Sequence, residues 1–174
     1  MPRVVAVILL GFATLLVWPS AATAPAGDGL PNRYTVQTDQ GVFTLQLFDA
    51  LYPDSAQEFR QRLEFGYYDG AVFARRPGGR LLQLGLRRGD GEAPDCRFIP
   101  ESCNATCNAK TVAWALSVPD SNNAQFAGYP FFINLADNEF KGQGFPVFAE
   151  VTDGWETVLR LRPGDCIVQI RALP

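Results

Sequence analysis

Histidine is absent from this 174-residue chain, and lysine is scarce, with only Lys110 and Lys141 beside thirteen arginines. The missing histidine excludes Ser-His-Asp and Cys-His nucleophilic catalysis. It also removes the commonest transition-metal ligand, and the carboxylates show no compensating spacing, so we expect neither a metal nor a cofactor. The excess of arginine over lysine indicates a coding bias, typical of a bacterial source, rather than an arginine-rich binding site.

Excess positive charge is lacking as well. The net charge is -3 and the pI is near 4.9, which leaves no electrostatic basis for binding nucleic acid. Hydrophobic residues make up 47% of the chain and charged residues 19%, a balance that favours a folded core over disorder. No repeat or linker divides the sequence, so the length predicts one domain.

The one long hydrophobic run lies at the start of the chain. Arg3 precedes an apolar run at residues 4–18, and small residues follow it. This order predicts a signal peptide at residues 1–26, cleaved after Ala22 or Ala26. The run is shorter than the about 20 residues of a membrane span. An uncleaved anchor is the alternative, and in either case residues 32–174 lie in the periplasm or outside the cell, with no membrane association after cleavage.

Four cysteines agree with an oxidising compartment, where an even number favours disulfides. Cys96, Cys103 and Cys107 share one segment, while Cys166 lies far along the chain. Three pairings are possible, and one local bridge with two remaining thiols is a further alternative. Thioredoxin-like chemistry is excluded because the sequence contains no Cys-x-x-Cys.

Short alternating runs bounded by turn residues predict eight strands, at 34–38, 42–48, 71–75, 81–85, 111–118, 131–134, 145–151 and 167–172. A helix is predicted at 56–65, with Ser55 and Glu58 forming a capping box and Gly66 ending it. A second short helix is predicted at 157–161. Many short strands with two helices indicate an antiparallel barrel or sandwich whose ends are covered by helices.

The first predicted helix is amphipathic. Ala56, Phe59 and Leu63 share one face, which we expect to face the core. The opposite face carries the polar residues of the helix, Arg60, Gln61, Arg62 and Glu64, which we expect to face solvent.

Several motifs occur in a family order. GYYDG at 66–70 is followed by Phe73-Ala74-Arg75, and Gln83 lies ten residues beyond Phe73. FFIN at 131–134 and VFAEV at 147–151 come next. In this order and spacing the chain resembles the cyclophilins, a family of peptidyl-prolyl cis-trans isomerases, and its exported bacterial members most. The resemblance implies a mainly β fold over residues 32–174, an antiparallel eight-stranded barrel closed by two α-helices.

The resemblance also implies a reaction and its machinery. Rotation about an X-Pro amide meets a barrier of about 18–20 kcal/mol, set by its partial double-bond character. A hydrogen-bond donor aimed at the proline nitrogen favours the deconjugated form and so stabilises the twisted transition state. Arg75 matches the family arginine that performs this task, and Gln83 matches the glutamine that holds the substrate backbone or orients the arginine.

The residues that the resemblance implies for substrate binding are Phe73, Leu81, Ala115, Leu116, Phe132, Phe140 and Phe145. The implied substrates are proline-containing peptides or unfolded exported proteins, bound by a monomer.

The chain departs from the family pattern around the site, with Ala74 for histidine, Arg80 for a large aromatic residue, Leu116 for asparagine, Pro130 for glutamine, Phe140 for tryptophan and Lys141 for leucine. Arg75 and Gln83 remain. Three functions therefore stay open: an exported isomerase, a module that binds proline-containing segments without useful turnover, and a structural protein.

Overall fold

The computed structural model describes residues 29–87, 100, 106–116, 127–139 and 144–173. The predicted signal peptide, Cys96 and Cys103 lie outside these residues. The described strands are β1 Arg33–Thr38, β2 Gly41–Leu47, β3 Ala71–Arg75, β4 Leu81–Arg87, β5 Thr111–Leu116, β6 Ala127–Asn134, β7 Val147–Asp153 and β8 Ile167–Ala172. The helices are α1 Pro53–Glu64 and α2 Trp155–Arg160, with a 3-10 turn at Pro77–Gly79.

All eight strands belong to one antiparallel sheet, in the order β3-β4-β6-β5-β7-β2-β1-β8. Backbone hydrogen bonds join β3 to the segment just before β8, the strand at the other end of this order. The Phe73 N–H donates to the Asp165 carbonyl at 2.8 Å, the Gly164 N–H donates to the Phe73 carbonyl at 2.9 Å, and Val72 bridges Cys166. The sheet therefore nearly closes into a barrel, with β3 held against the residues that lead into β8. The predicted eight-stranded barrel with two helices is confirmed.

The barrel interior is filled by side chains that alternate along the strands. On β1, Tyr34, Val36 and Thr38 are buried, while Gln37 between them is exposed. Successive side chains of a strand point to opposite faces, so this alternation fixes which face meets the core. α1 places Phe59 against Phe148, with the ring centroids 5.6 Å apart, and thereby covers one end of the barrel.

The start of α1 differs from the prediction. The helix begins at Pro53 after Tyr52, which makes no side-chain cap, so the capping box of Ser55 and Glu58 was wrong. Proline suits the first helical position because its fixed φ matches the helix and its missing N–H would be unpaired there. The predicted end is confirmed: Gly66 has a φ of 67°, and its N–H donates to the Leu63 carbonyl at 3.0 Å.

Arg62 also differs from the prediction, because it lies in the interior with 1% of its surface exposed. Its guanidinium lies 5.2 Å from the ring centroid of Trp114, and its Nε donates to Glu58 Oε1 at 2.7 Å. The carboxylate one turn earlier and the aromatic face make burial of the charge possible.

None of the helices in the described ranges has the length and apolar character to cross a membrane.

Candidate active site

The site begins at a bulge between β3 and β4. Phe73 pairs with Leu84 and Arg75 pairs with Gln83, so two steps on β3 match one step on β4 and Ala74 is the extra residue. A bulge bends its strand and changes the direction of the side chains next to it. Arg75 consequently lies opposite Gln83, and its Nε donates to Gln83 Oε1 at 2.7 Å. The structure thus brings the two predicted catalytic residues together.

Gly85 permits this bulge. A Cβ atom at Gly85 would lie 2.7 Å from the Ala74 Cβ and 3.3 Å from the Val72 carbonyl oxygen. The two strands can approach this closely only because the position has no side chain. The turn between them also depends on glycine, since Gly78 and Gly79 have φ values of 56° and 69°, in the left-handed region.

The guanidinium of Arg75 remains available to a substrate. Arg75 is exposed, and Gln83 is the hydrogen-bond partner that the described part of the chain provides for it. That bond uses the Nε–H, so the two terminal amino groups of the exposed guanidinium keep their N–H donors. Gln83 is half-buried, so the partner of the exposed arginine is itself held between neighbouring residues.

Arg76 anchors the end of β3 on the other side of the strand. Its Nη1 donates to the Leu159 carbonyl at 3.1 Å and to the Leu161 carbonyl at 2.7 Å, at the C-terminal end of α2. Burial lowers the pKa of Arg76, and the neighbouring charge of Arg162 lowers it further. Carbonyl oxygens at a helix C-terminus attract a cation, so this contact fixes the backbone that carries Arg75.

A small apolar cluster, here called the site cluster, lies beside Gln83. Its buried members are Cys107, Ala113, Phe132 and Val147, and the partly buried residues packed on them are Phe48, Leu81, Ala115 and Phe145. Phe132 and Phe145 meet edge to face, with the ring centroids 5.2 Å apart and the planes at 89°. Gln83 and Phe132 are partners in the β4–β6 register, which places the arginine–glutamine pair next to these rings.

The site cluster is built from the face of the sheet opposite the main core. On β6, Phe131 enters the main core and Phe132 the site cluster. On β5, Trp114 belongs to the core, and Ala113 and Ala115 belong to the cluster. This alternation is the period of two of a strand. Strands that are apolar at successive positions bury both faces, and this feature of the sequence is the signal for the cluster.

Four predicted substrate-binding residues come together in the site cluster, namely Leu81, Ala115, Phe132 and Phe145. Phe73 does not, because its side chain is fully buried in the main core, and Leu116 packs against that core as well. Phe140 lies outside the described residues. Three buried members of the cluster were not predicted from the sequence, namely Cys107, Ala113 and Val147.

An open cleft adjoins the site cluster at Leu81. It has a volume of about 560 Å³, and its lining residues are Pro77, Arg80, Leu81, Asp137, Asn138 and Glu139. Arg80 is exposed and its Nε donates to Asn138 Oδ1 at 3.0 Å, while a terminal amino group donates to the Asp137 carbonyl oxygen. The charge that replaces the aromatic residue implied by the resemblance is therefore bonded to the loop after β6.

The two cysteines within the described residues contact different parts of the barrel. The Cys107 carbonyl accepts from the Asn138 N–H at 2.9 Å, beside the site. The Cys166 N–H donates to Asp39 Oδ2 at 3.2 Å, near the closing contact between β3 and β8. Disulfide formation among the four cysteines stays a prediction, with the pairing open.

Comparison with known proteins gives consistent results. The family model described as cyclophilin type peptidyl-prolyl cis-trans isomerase/CLD matches residues 33–169. Peptidyl-prolyl cis-trans isomerase B of Escherichia coli is 27% identical over 136 residues, covering 74% of this chain and 82% of that protein. An isomerase of Streptomyces antibioticus is 28% identical over 135 residues, covering 71% and 78%.

A solved structure supports the same fold. The cyclophilin type isomerase of Cryptosporidium parvum superimposes with a TM-score of 0.71 at 20% identity, covering 83% of this chain and 99% of that one. A second structure of that protein was determined in the presence of the dipeptide Ala-Pro, and it superimposes with a TM-score of 0.69.

Proposed function

This chain belongs to the cyclophilin family and hence to the peptidyl-prolyl cis-trans isomerases, and from that membership we propose that it assists the folding of exported proteins by stabilising the twisted X-Pro amide at Arg75. The observation that carries the mechanism is the bond from Arg75 Nε to Gln83 Oε1 beside the site cluster. The predicted signal peptide supports the proposal that the substrates are exported proteins.

The transition state places new electron density on the proline nitrogen. As the amide twists, conjugation is lost and the nitrogen lone pair becomes an acceptor. Arg75 supplies a permanent charge and fixed donors, and Gln83 holds it in one orientation, so little reorganisation is needed at the moment of rotation. A single preorganised donor of this kind contributes about 2.7–4 kcal/mol of transition-state stabilisation. The step involves no proton transfer and no covalent intermediate.

The site cluster would bind the proline ring. The rings of Phe132 and Phe145 meet edge to face, and the partly buried Leu81 and Ala115 pack on the same cluster. Burying the three ring methylenes contributes about 2 kcal/mol of binding free energy. Holding the ring while leaving the preceding residue free to rotate confines the twist to the X-Pro bond.

Replacement of Arg75 tests the mechanism. We expect Arg75→Ala to lower kcat/KM about 10²- to 10³-fold, measured by NMR exchange on an Ala-Pro peptide. Arg171→Ala is the matched control, because Arg171 is exposed on β8 and its Nη1 bonds only to the neighbouring Ile170 carbonyl among the described residues. Undiminished exchange in Arg75→Ala would refute the assignment.

Export has its own test. The chain with residues 1–26 intact is expressed in a bacterial host, and the product in the periplasm or medium is sequenced from its N-terminus. Cleavage after Ala22 or Ala26 gives a product that begins at Thr23 or Gly27. Retention of the whole chain in the cytoplasm would contradict the proposed role.

A binding module without turnover is the second candidate. The observation that favours it is Arg80, which places an exposed charge on the wall of the cleft beside Leu81. In that case the wild-type protein would bind a proline-containing peptide without accelerating its cis-trans exchange.

A further inference from the structure

Asn138 is the centre of a hydrogen-bond network at the cleft. Its Nδ2 donates to the Arg80 carbonyl at 3.0 Å, to Asn134 Oδ1 at 2.7 Å and to the Ala136 carbonyl at 2.9 Å. Its Oδ1 accepts from Arg80 Nε at 3.0 Å. Both ends of one side-chain amide are therefore used, and the donor and the acceptor end each contact Arg80.

The network extends to a buried residue between β5 and β6. Asn134 is fully buried at the end of β6, and its Nδ2 donates to Thr111 Oγ1 at 2.9 Å, at the start of β5. The Leu135 N–H donates to the Arg80 carbonyl at 2.8 Å, and Leu81 pairs with Asn134 in the sheet. Asn138 thus ties Arg80 to β5 and β6, which supply Ala113, Ala115 and Phe132 of the site cluster.

The charge of Arg80 is held in place without being neutralised. Its terminal amino group reaches the backbone carbonyl of Asp137, whereas the Asp137 carboxylate accepts from the Ala109 N–H at 2.8 Å. The ion pairs found among the described residues do not include Arg80. A guanidinium that is fixed by neutral oxygens keeps its positive charge available to a ligand in the cleft.

We propose that Asn138 is a positioning residue that fixes Arg80 as a charged wall of the cleft, and that this pair selects the substrate residue next to the proline. The cleft and the site cluster share Leu81, so a peptide whose proline lies in the cluster places a neighbouring side chain in the cleft. Arg80 favours an acidic side chain at its own wall of the cleft, against the exposed carboxylates of Asp137 and Glu139 that also line it, so its contribution is the change in preference when Arg80 is removed. This inference rests on the proposed substrate class, whereas Arg75 governs turnover.

The experiment measures binding and exchange for two peptides that differ only in glutamate or lysine beside the proline. The readout is the ratio of their affinities by NMR titration, with kcat measured on the same samples. Arg80→Ala should shift the ratio about threefold toward the lysine peptide, the size of an exposed charge interaction. Asn138→Ala should shift it in the same direction, and should have no further effect when combined with Arg80→Ala.

A purely structural role of Asn138 would weaken binding of both peptides equally and leave the ratio unchanged, which would overturn the inference. Should Asn138→Ala fail to fold, Arg80→Lys makes the same test, because lysine keeps the charge but lacks the planar donors that reach both oxygens. We expect that variant to keep only part of the wild-type preference for the glutamate peptide over the lysine peptide. An unchanged preference would contradict the positioning role.

The control separates this inference from the proposed function. Arg75→Ala should lower kcat and leave the affinity ratio as in the wild type. A wild type that binds both peptides without accelerating exchange would refute the isomerase mechanism, while the affinity ratio would still decide the role of Arg80. Normal exchange with a ratio that Arg80→Ala leaves unchanged would refute the inference alone.

Discussion

Replacement of Gly85 by alanine tests whether close approach at the bulge holds the two catalytic residues together. The new Cβ would lie 2.7 Å from the Ala74 Cβ, whereas carbon atoms in contact rest about 3.5–4.0 Å apart. The overlap is about 1 Å, and it cannot be relieved by rotation of a side chain, because the Ala74 Cβ is bonded directly to the backbone. β3 must move away from β4, and overpacking of this kind costs about 1–3 kcal/mol of the free energy of unfolding.

Urea unfolding of Gly85→Ala measures that cost, and peptide exchange measures its effect on catalysis. We expect a lower unfolding midpoint together with a reduced kcat, because movement of β3 separates Arg75 from Gln83. The double variant Ala74→Gly/Gly85→Ala removes the clash, so its loss should be smaller than the sum of the single losses. Ala74→Gly alone costs about 0.5–1 kcal/mol through backbone entropy. Additive losses, or a Gly85→Ala variant as stable as the wild type, would refute the reasoning.

Three further changes test other parts of the fold by urea unfolding. Burial raises the pKa of Tyr34 above 10.0, so its contribution to stability is complete below pH 10.0 and is lost as the pH rises toward the folded-state pKa; Tyr34→Phe should therefore make the decline above pH 10.0 less steep. Lys110 has a φ of 75°, so Lys110→Gly should be more stable than Lys110→Ala by about 1 kcal/mol. Arg62→Ala should cost about 3 kcal/mol, because it leaves Glu58 without its buried partner, whereas the exposed Arg171→Ala should cost almost nothing.

The strands could be predicted because their signal is local. β3 and the start of β4 lie where alternation and turn residues place them, at Ala71 and Leu81. The start of α1 could not be taken from the capping pattern, because Pro53 is an equally local signal that acts two residues earlier than Ser55. The burial of Arg62 depends on Trp114, which arrives from a strand far along the chain.

The candidate site could be predicted in part for the same reason. Arg75 and Gln83 are close in sequence, but the bulge at Ala74 that aligns them is a property of register, which follows from pairing across strands. The contact of Arg80 with Asn138 joins residues 58 positions apart and leaves no periodic trace. Phe73 shows the opposite case, since its family motif places it near the site while its own strand turns it into the core.

The contact of β3 with the residues before β8 determines when the candidate site is completed during synthesis of the chain. The backbone of Phe73 is bonded to Gly164 and Asp165, so the strand that carries Arg75 is completed only after nearly all of the described chain has emerged. The sequence contains 13 prolines, whose uncatalysed isomerisation takes tens to hundreds of seconds. A molecule therefore has no site to apply to its own prolines while it folds, and any acceleration comes from copies that finished earlier.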